Sequence, residues 1–428
     1  MEEKKKPLVF YGYIVAAAAF GIWFTIWGIQ QTYGVFFKPV LEYFGWSRTI
    51  MSGARSVNAG MSGLLGIFAG RMTDKIGPRQ VVLIFGALVG IGFILLSFVN
   101  NAWQFYLIYG VLVGTGMSVA TIPTMTAVAR WFRKRRGLIS GIVQTGGSLG
   151  GTVTAPLAGW LILTHGWRFS YMAFGGAGLI LVLILGSLLR KDPKDMGLEP
   201  YGGADAKIEG RNKGRGGGGS GGAAFSFKSS VRTSQFWMLA VMLFAYGWCR
   251  TVMSVHIAAH VTDQGLPLTV GATTLAIMSA SSIAGRLAIG QLSDMIGNKK
   301  ADIICYGGVT ISLGCLIFVT NIWGLYAAVG LFGVTWGGQA VIRMTMIAEV
   351  YGVGSLGSVW GILEFISQIG AIIGPLLAGW IFDIKGTYEL AFIISTALSA
   401  TGLISIILLK PLAPASAITG QDAQHGRG

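Results

Sequence analysis

The chain has little charge. Asp, Glu, Lys and Arg make up 11% of its 428 residues, where a soluble domain carries about 25%, and this excludes a water-soluble globule of such length. Cysteine and histidine are scarce, at 3 and 4 residues. Cys249, Cys305 and Cys315 all fall inside apolar runs and are odd in number, so neither a disulfide framework nor a metal-ligand spacing is present. There is no nucleophile elbow, no phosphate loop, no His-rich metal set and no pair of cytoplasmic carboxylates, so the sequence offers no enzyme chemistry and implies no cofactor or metal. The first apolar run is too long for a cleavable signal peptide and lacks a clear cleavage site.

Long apolar runs take the place of charge. Hydrophobic residues are 53% of the chain. Apolar runs long enough to span a bilayer as a helix, which takes about 20 residues, recur along its whole length. There are twelve of them, from Tyr11–Phe37 to Thr387–Leu409, with the ninth read as Asp302–Val319. The expected fold is an all-α membrane protein of twelve transmembrane helices. The formal net charge is +15. In a soluble protein that excess would suggest nucleic acid, but here the charges alternate between loops. Lys4, Lys5, Lys6, Arg71, Lys75, Arg79, Arg130, Arg133, Lys134, Arg135, Arg136, Lys299 and Lys300 lie on one side, against Lys38, Arg48, Arg168 and Lys385 on the other. Positive loops stay inside. The expectation is a multi-pass protein of the cytoplasmic membrane, in contact with lipid and not with nucleic acid, with both termini and the central loop in the cytoplasm.

One short sentence occurs twice. Gly70-Arg71-Met72-Thr73-Asp74-Lys75-Ile76-Gly77 returns as Gly290-Gln291-Leu292-Ser293-Asp294-Met295-Ile296-Gly297. Ala158-Gly159-Trp160 returns as Ala378-Gly379-Trp380 at the same offset, and Gly141 as Gly361. A constant offset between distant matches means two copies of one unit, the construction of many secondary transporters, with a site between the halves. Residues related by this offset are repeat mates. The expected division is a six-helix bundle over 1–190, a flexible cytoplasmic linker over 191–230 containing Gly216 to Gly219, a second six-helix bundle over 231–411, and a disordered cytoplasmic tail over 412–428. The bundles should be pseudo-symmetric about an axis along the membrane normal. Glycines four apart on the fifth helix, Gly137 with Gly141, Gly146 with Gly150 and Gly147 with Gly151, allow helices to approach closely in lipid.

Asp74 and Asp294 fall at the edge of the duplicated loops, where a carboxylate can meet the free N–H groups of a helix N-terminus. The loop resembles the signature loop of the major facilitator superfamily, in which it latches the two halves on the cytoplasmic side. The resemblance implies that Asp74, Arg79 and Asp294 belong to such a latch. Finer matches are Phe44-Gly45-Trp46-Ser47-Arg48, Arg130-Trp131-Phe132-Arg133-Lys134-Arg135-Arg136-Gly137, Thr233-Ser234-Gln235-Phe236-Trp237 and Thr335-Trp336-Gly337-Gly338. These resemble the monocarboxylate transporters and their bacterial relatives, including oxalate/formate antiporters.

Ionisable residues inside a span are costly and usually functional. Arg286 lies eight residues before Asp294, about 12 Å inside the cytoplasmic edge. Its repeat mate is Gly66, so the charge is not part of the duplicated scaffold. Its planar fork matches a carboxylate, and the family resemblance also implies a substrate-carboxylate arginine in Gly285-Arg286-Leu287; an internal ion pair is the alternative. Glu364, with mate Gln144, lies about 14 Å in from the same face. It is either a proton carrier or the permanent partner of an arginine such as Arg343. Arg250 is the mate of Gln30, which places both toward a cavity. His256 and His260 are either gate or pH-sensing groups or interfacial polar residues. Arg55 is read as snorkelling at the outer end of its helix. Trp336 is either a packing aromatic or, by resemblance to the oxalate/formate antiporters, a substrate wall; Gln30 matches a pore-facing glutamine of that group.

Two departures bear on the substrate. Gln31 stands where animal monocarboxylate transporters carry a lysine, and Ser282 where they carry an aspartate, so their proton-coupling pair is missing. Leu363-Glu364 occupies the region of the second basic residue of oxalate carriers. One committed arginine suits one carboxylate. The expected function is therefore secondary transport of a small monocarboxylate of lactate or pyruvate type together with a proton, by a monomer. An oxalate/formate-type anion antiporter and, from another class, a transporter-like receptor are the competing readings.

Overall fold

The computed structural model describes residues 10–133, 135–201, 231, 233–319, 321–351 and 356–409. Most of the expected linker and the tail lie outside them. Ten helices in the described residues are long and apolar enough to cross a membrane. One of these, Leu138–Leu188, is two spans: Gly166 takes φ 80° and ψ 164° inside Arg136–Leu188 and breaks it. The twelfth is Arg48–Ile76, whose glycines, serines, Asn58 and Arg55 lower its hydropathy. The spans are α1 (Tyr11–Phe44), α2 (Arg48–Ile76), α3 (Pro78–Leu96), α4 (Ala102–Trp131), α5 and α6 on either side of Gly166, α7 (Ser234–Asp263), α8 (Leu268–Ile296), α9 (Asn298–Phe318), α10 (Ile322–Tyr351), α11 (Leu356–Lys385) and α12 (Glu389–Leu408).

The chain separates into two compact units. The first holds residues 1–216 together with Val261–Ala276; the second holds Gly217–His260 and 277–428. The C-terminal end of α7 and the start of α8 thus group with the first unit, a division that the linear boundaries at 190 and 231 do not contain. Part of this grouping is ionic, because Asp263 accepts from Lys38 at 3.0 Å and from Arg48 at 2.7 Å.

Helix packing is duplicated along with the sequence. In the first unit a Cβ on Gly150 would strike the Phe24 carbonyl, and Thr154 Oγ1 donates to the Gly28 carbonyl at 2.7 Å. In the second, a Cβ on Gly370 would strike the Phe244 carbonyl, and both of these partners are the repeat mates of the first pair. Helices α1 and α5, and again α7 and α11, cross backbone to backbone at glycine, as small residues permit. Large apolar side chains face outward. Trp103 and its mate Trp323 are 65% and 78% exposed, and Trp160 and its mate Trp380 are 55% and 51% exposed. Exposed tryptophans on such helices suit a lipid boundary.

Residues 191–201 of the expected flexible linker are held against the first unit. Asp192 caps a short turn at Pro193–Met196, and Tyr201 exchanges backbone bonds with Trp131 and Arg133 at 2.9 and 3.1 Å. The Tyr201 ring sits among Phe10, Tyr13 and Phe132. These aromatic contacts and the backbone pairing hold a segment whose composition alone reads as a tether.

Candidate functional site

In the second unit, α8 and α10 are drawn together by glycine. A Cβ on Gly285 would strike the Val334 carbonyl, one on Gly333 the Met278 carbonyl and one on Gly337 the Ser282 carbonyl. No larger residue fits this seam without moving a backbone. Arg286 follows Gly285 directly and is half-buried. The guanidinium is within electrostatic reach of Tyr246 and Arg343.

A chain of contacts runs on from there. Trp336 Nε1 donates to the Tyr246 hydroxyl at 3.0 Å. The Tyr246 ring lies 4.6 Å from the Arg343 guanidinium carbon, and the Trp360 ring lies 5.3 Å from it on α11. Arg343 Nη1 donates to Glu364 Oε2 at 3.2 Å. Cation–π contacts and one charged hydrogen bond hold Arg343 between α7, α10 and α11. The structure therefore brings Trp336, Glu364 and Arg286 into one polar region. In it Glu364 has the arginine partner named as one of its two possibilities.

The remaining sequence candidates lie elsewhere. His256 is fully buried: Nε2 contacts the Pro375 carbonyl at 2.9 Å and Nδ1 the Tyr388 hydroxyl at 2.9 Å. A carbonyl only accepts, so Nε2 carries a proton toward Pro375, and Nδ1 shares a hydrogen bond with the Tyr388 hydroxyl. Burial corrects the interfacial reading of His256. His260 packs edge-on to Phe392 with 4.9 Å between ring centres. Arg250 is half-buried on α7.

In the first unit Gln30 is buried on α1, with Gln31 beside it half-buried. With its carbonyl turned to Arg55, Gln30 accepts from that guanidinium at 3.0 and 3.2 Å. Arg55 also donates to Asn58 Oδ1 at 3.4 Å, and Asn58 Nδ2 donates to the Tyr109 carbonyl at 2.9 Å. Arg55 is 6% exposed. It does not snorkel, because the carboxamides of Gln30 and Asn58 solvate it inside the unit. Tyr109 lies in a π-helical stretch, Tyr106–Val113, a distortion that recurs at functional sites. At the duplicated loops, Asp74 is exposed and accepts from Arg130 at 3.0 Å, while Arg79 and Asp294 are exposed. Asn298 next to the second loop donates to Glu349 at 2.6 Å.

Sequence reading missed Tyr246, Asn58 and Asp302. Tyr246 carries no charge to flag it, and Asn58 sits among small residues. Asp302 had been placed at the tip of its span. In the structure α9 starts at Asn298, so Asp302 is one turn inside and 2% exposed.

Twelve helices in two units with duplicated packing define a polytopic all-α membrane protein. The chain belongs to the major facilitator superfamily, whose family description matches residues 9–316 and 292–426. It is 26% identical to monocarboxylate transporter 13 of Bos taurus over 397 residues, covering 92% of this chain and 88% of that one. It is 25% identical to monocarboxylate transporter 11 of Homo sapiens over 407 residues, covering 92% and 81%. Among solved structures it resembles a bacterial homologue of the human lysosomal transporter Spinster in an inward-facing, unoccupied conformation. That match has TM-score 0.64 and 16% identity over 95% of each chain, and it concerns the fold alone.

Proposed function

We propose that this protein carries a small monocarboxylate of lactate or pyruvate type together with a proton. It works as a monomer, by alternating access of its two halves, in a cytoplasmic membrane with both termini inside. The observation that carries the reading is Arg286, a half-buried guanidinium in a close-packed seam of α8 and α10 in a chain related to monocarboxylate transporters. Its fork suits one carboxylate. Trp336, Gln30, Gln31 and Arg250 are the further contacts for the acid. Glu364 and His256 are the candidates for the proton, and Asp74, Arg79 and Asp294 for the latch. The half of the chain without Arg286 supplies a cation, Arg55, already solvated by neutral groups, which leaves Arg286 as the committed anion contact.

The test is uptake of radiolabelled lactate, pyruvate, formate and oxalate into proteoliposomes, with and without an inward proton gradient. Accumulation of monocarboxylates driven by the gradient supports the reading. Accumulation only against a trapped internal anion would replace symport by exchange. Binding without any counterflow would replace transport by reception. External labelling of a cysteine placed in the Gly216–Gly219 stretch of intact cells would refute the orientation.

A further inference from the structure

One acidic residue in the second unit has no role in the scheme above. Asp302 is 2% exposed on α9, and its Oδ1 has no hydrogen-bond partner among the described residues. It lines a cavity inside the unit together with Tyr246, Tyr306, Gln339 and Arg343, closed by aliphatic residues of α7. Gln339 Nε2 is likewise buried without a partner. The free space is that of about one water molecule, too small for any organic acid.

A carboxylate buried without a partner is strongly disfavoured in its charged form and neutralises by taking a proton. The scaffold does not demand an acid here. The repeat mate in the first half is Val82, which is fully buried and apolar. The groups facing Asp302 can be named from each neighbouring element. On α9 they are Cys305 and Tyr306, with Lys299 one turn below bonded to the carbonyls of Ile407 and Leu409. On α7 it is Tyr246 and on α10 Arg343, both lining the same cavity; Cys249 of α7 interacts with Tyr306, Arg286 of α8 with Tyr246 and Arg343, and Glu364 of α11 with Arg343. Helix α12 places no titratable group here among the described residues, its one acid, Glu389, lying at its other end. Of the arginines, Arg343 lines the cavity itself, and it is the one held by Glu364.

We infer that Asp302 is the binding site of the coupled proton, and that Arg343 is shared between Glu364 and Asp302. This rests on the proton-coupled reading above for its link to transport. With Arg343 on Glu364, as observed, Asp302 is a neutral acid. On release the Asp302 O–H bond breaks, the proton passes to the water of the cavity and out to solvent, and the carboxylate left behind is neutralised by Arg343 turning away from Glu364. Loading reverses each step. Glu364 is then the counter-ion that the arginine leaves, and the proton itself sits on α9.

Two readouts test this. Infrared spectra of the full-length protein in lipid at neutral pH are expected to show a carboxylic-acid C=O band that shifts in D2O. Asp302→Asn removes the band. Glu364→Gln also removes it without touching Asp302, because Arg343 then has only Asp302 to neutralise. In proteoliposomes Asp302→Asn is expected to lose gradient-driven lactate accumulation at least tenfold while counterflow at equal pH stays within about twofold. A band that survives Asp302→Asn, or full gradient-driven accumulation by that variant, overturns the inference. If Asp302→Asn fails to fold, the Glu364→Gln spectrum decides alone, and an unchanged band there is equally fatal. If the wild type accumulates no monocarboxylate in response to pH, the transport reading fails, and the spectra still settle whether Asp302 holds a proton.

Discussion

In the first half of the chain Gly45, Gly77 and Gly166 take φ of 64°, 89° and 80°; in the second half, Gly265, Gly297 and Gly386 take 84°, 87° and 74°. Each pair is related by the same offset as Gly70 and Gly290. A left-handed φ is where glycine is needed, so the same three chain reversals were kept in both copies. The charges were not kept. Arg286, Arg343, Glu364 and Asp302 of the second unit correspond to Gly66, Pro123, Gln144 and Val82 of the first. Tyr246 and Trp336 correspond to Ile26 and Gly116. The first unit has its own interior cation, Arg55, but solvates it with two carboxamides. The comparison separates two kinds of constraint. Turns and helix crossings are properties of the duplicated scaffold, and the ionisable chemistry belongs to one copy.

The largest expected break between the units is at Arg286. Arg286→Ala should lose binding of lactate-like acids by about 2–5 kcal/mol, the range for truncating one partner of a buried charge pair. Arg286→Lys should bind weakly because the planar fork is gone. Isothermal titration of the purified variants checks both, and wild-type affinity in Arg286→Ala would move the site to Arg250. Uncharged lactamide should bind wild type poorly in the same assay.

Next comes the shared scaffold. Gly150→Val and Gly370→Val should each destabilise by at least the roughly 1–3 kcal/mol typical of overpacking, since the new side chain meets a carbonyl in both cases. Thermal unfolding in detergent measures this. A large loss at one position and none at the other would mean that the two crossings are not equivalent.

The third prediction sharpens the chemical asymmetry. Glu364→Gln should abolish pH-driven accumulation and spare exchange at equal pH, whereas Gln144→Glu, its mate, should not create a second coupling site. Unchanged accumulation in Glu364→Gln would remove this residue from the coupling route.

The smallest effect is expected at the latches. Asp74→Asn and Asp294→Asn should slow transport and leave binding largely intact, because both residues are exposed at the duplicated loops. Asp74 additionally loses Arg130, a surface pair worth about 0–1 kcal/mol. Turnover in liposomes against equilibrium binding separates the two outcomes; lost binding with a normal cycle would contradict the latch role.

Much of this was legible in the residues. Apolar runs of bilayer length, the constant offset between repeat mates and the loop motif carry the twelve helices and the superfamily, since in lipid every backbone group must be satisfied within a helix. Arg286 was legible because charge inside an apolar run is conspicuous. Arg55 was misread because depth along a helix does not say which way a side chain turns, and the neutral groups around it come from α1 and from its own helix. Asp302 was passed over because the span boundary was drawn at that residue and not at Asn298, which turned a buried acid into an edge residue.

The residue pattern by itself determined the class of protein, the duplication and the number of spans, because these depend only on hydropathy, spacing and chain length. Tertiary structure alone decided the partners: Arg343 with Glu364, His256 between Tyr388 and Pro375, Arg55 with Gln30, and Asp302 beside a space the size of about one water. The physical reason is that the energy of a buried charge depends on which groups from other helices come within hydrogen-bonding distance of it, and that is a property of packing between segments far apart in the chain.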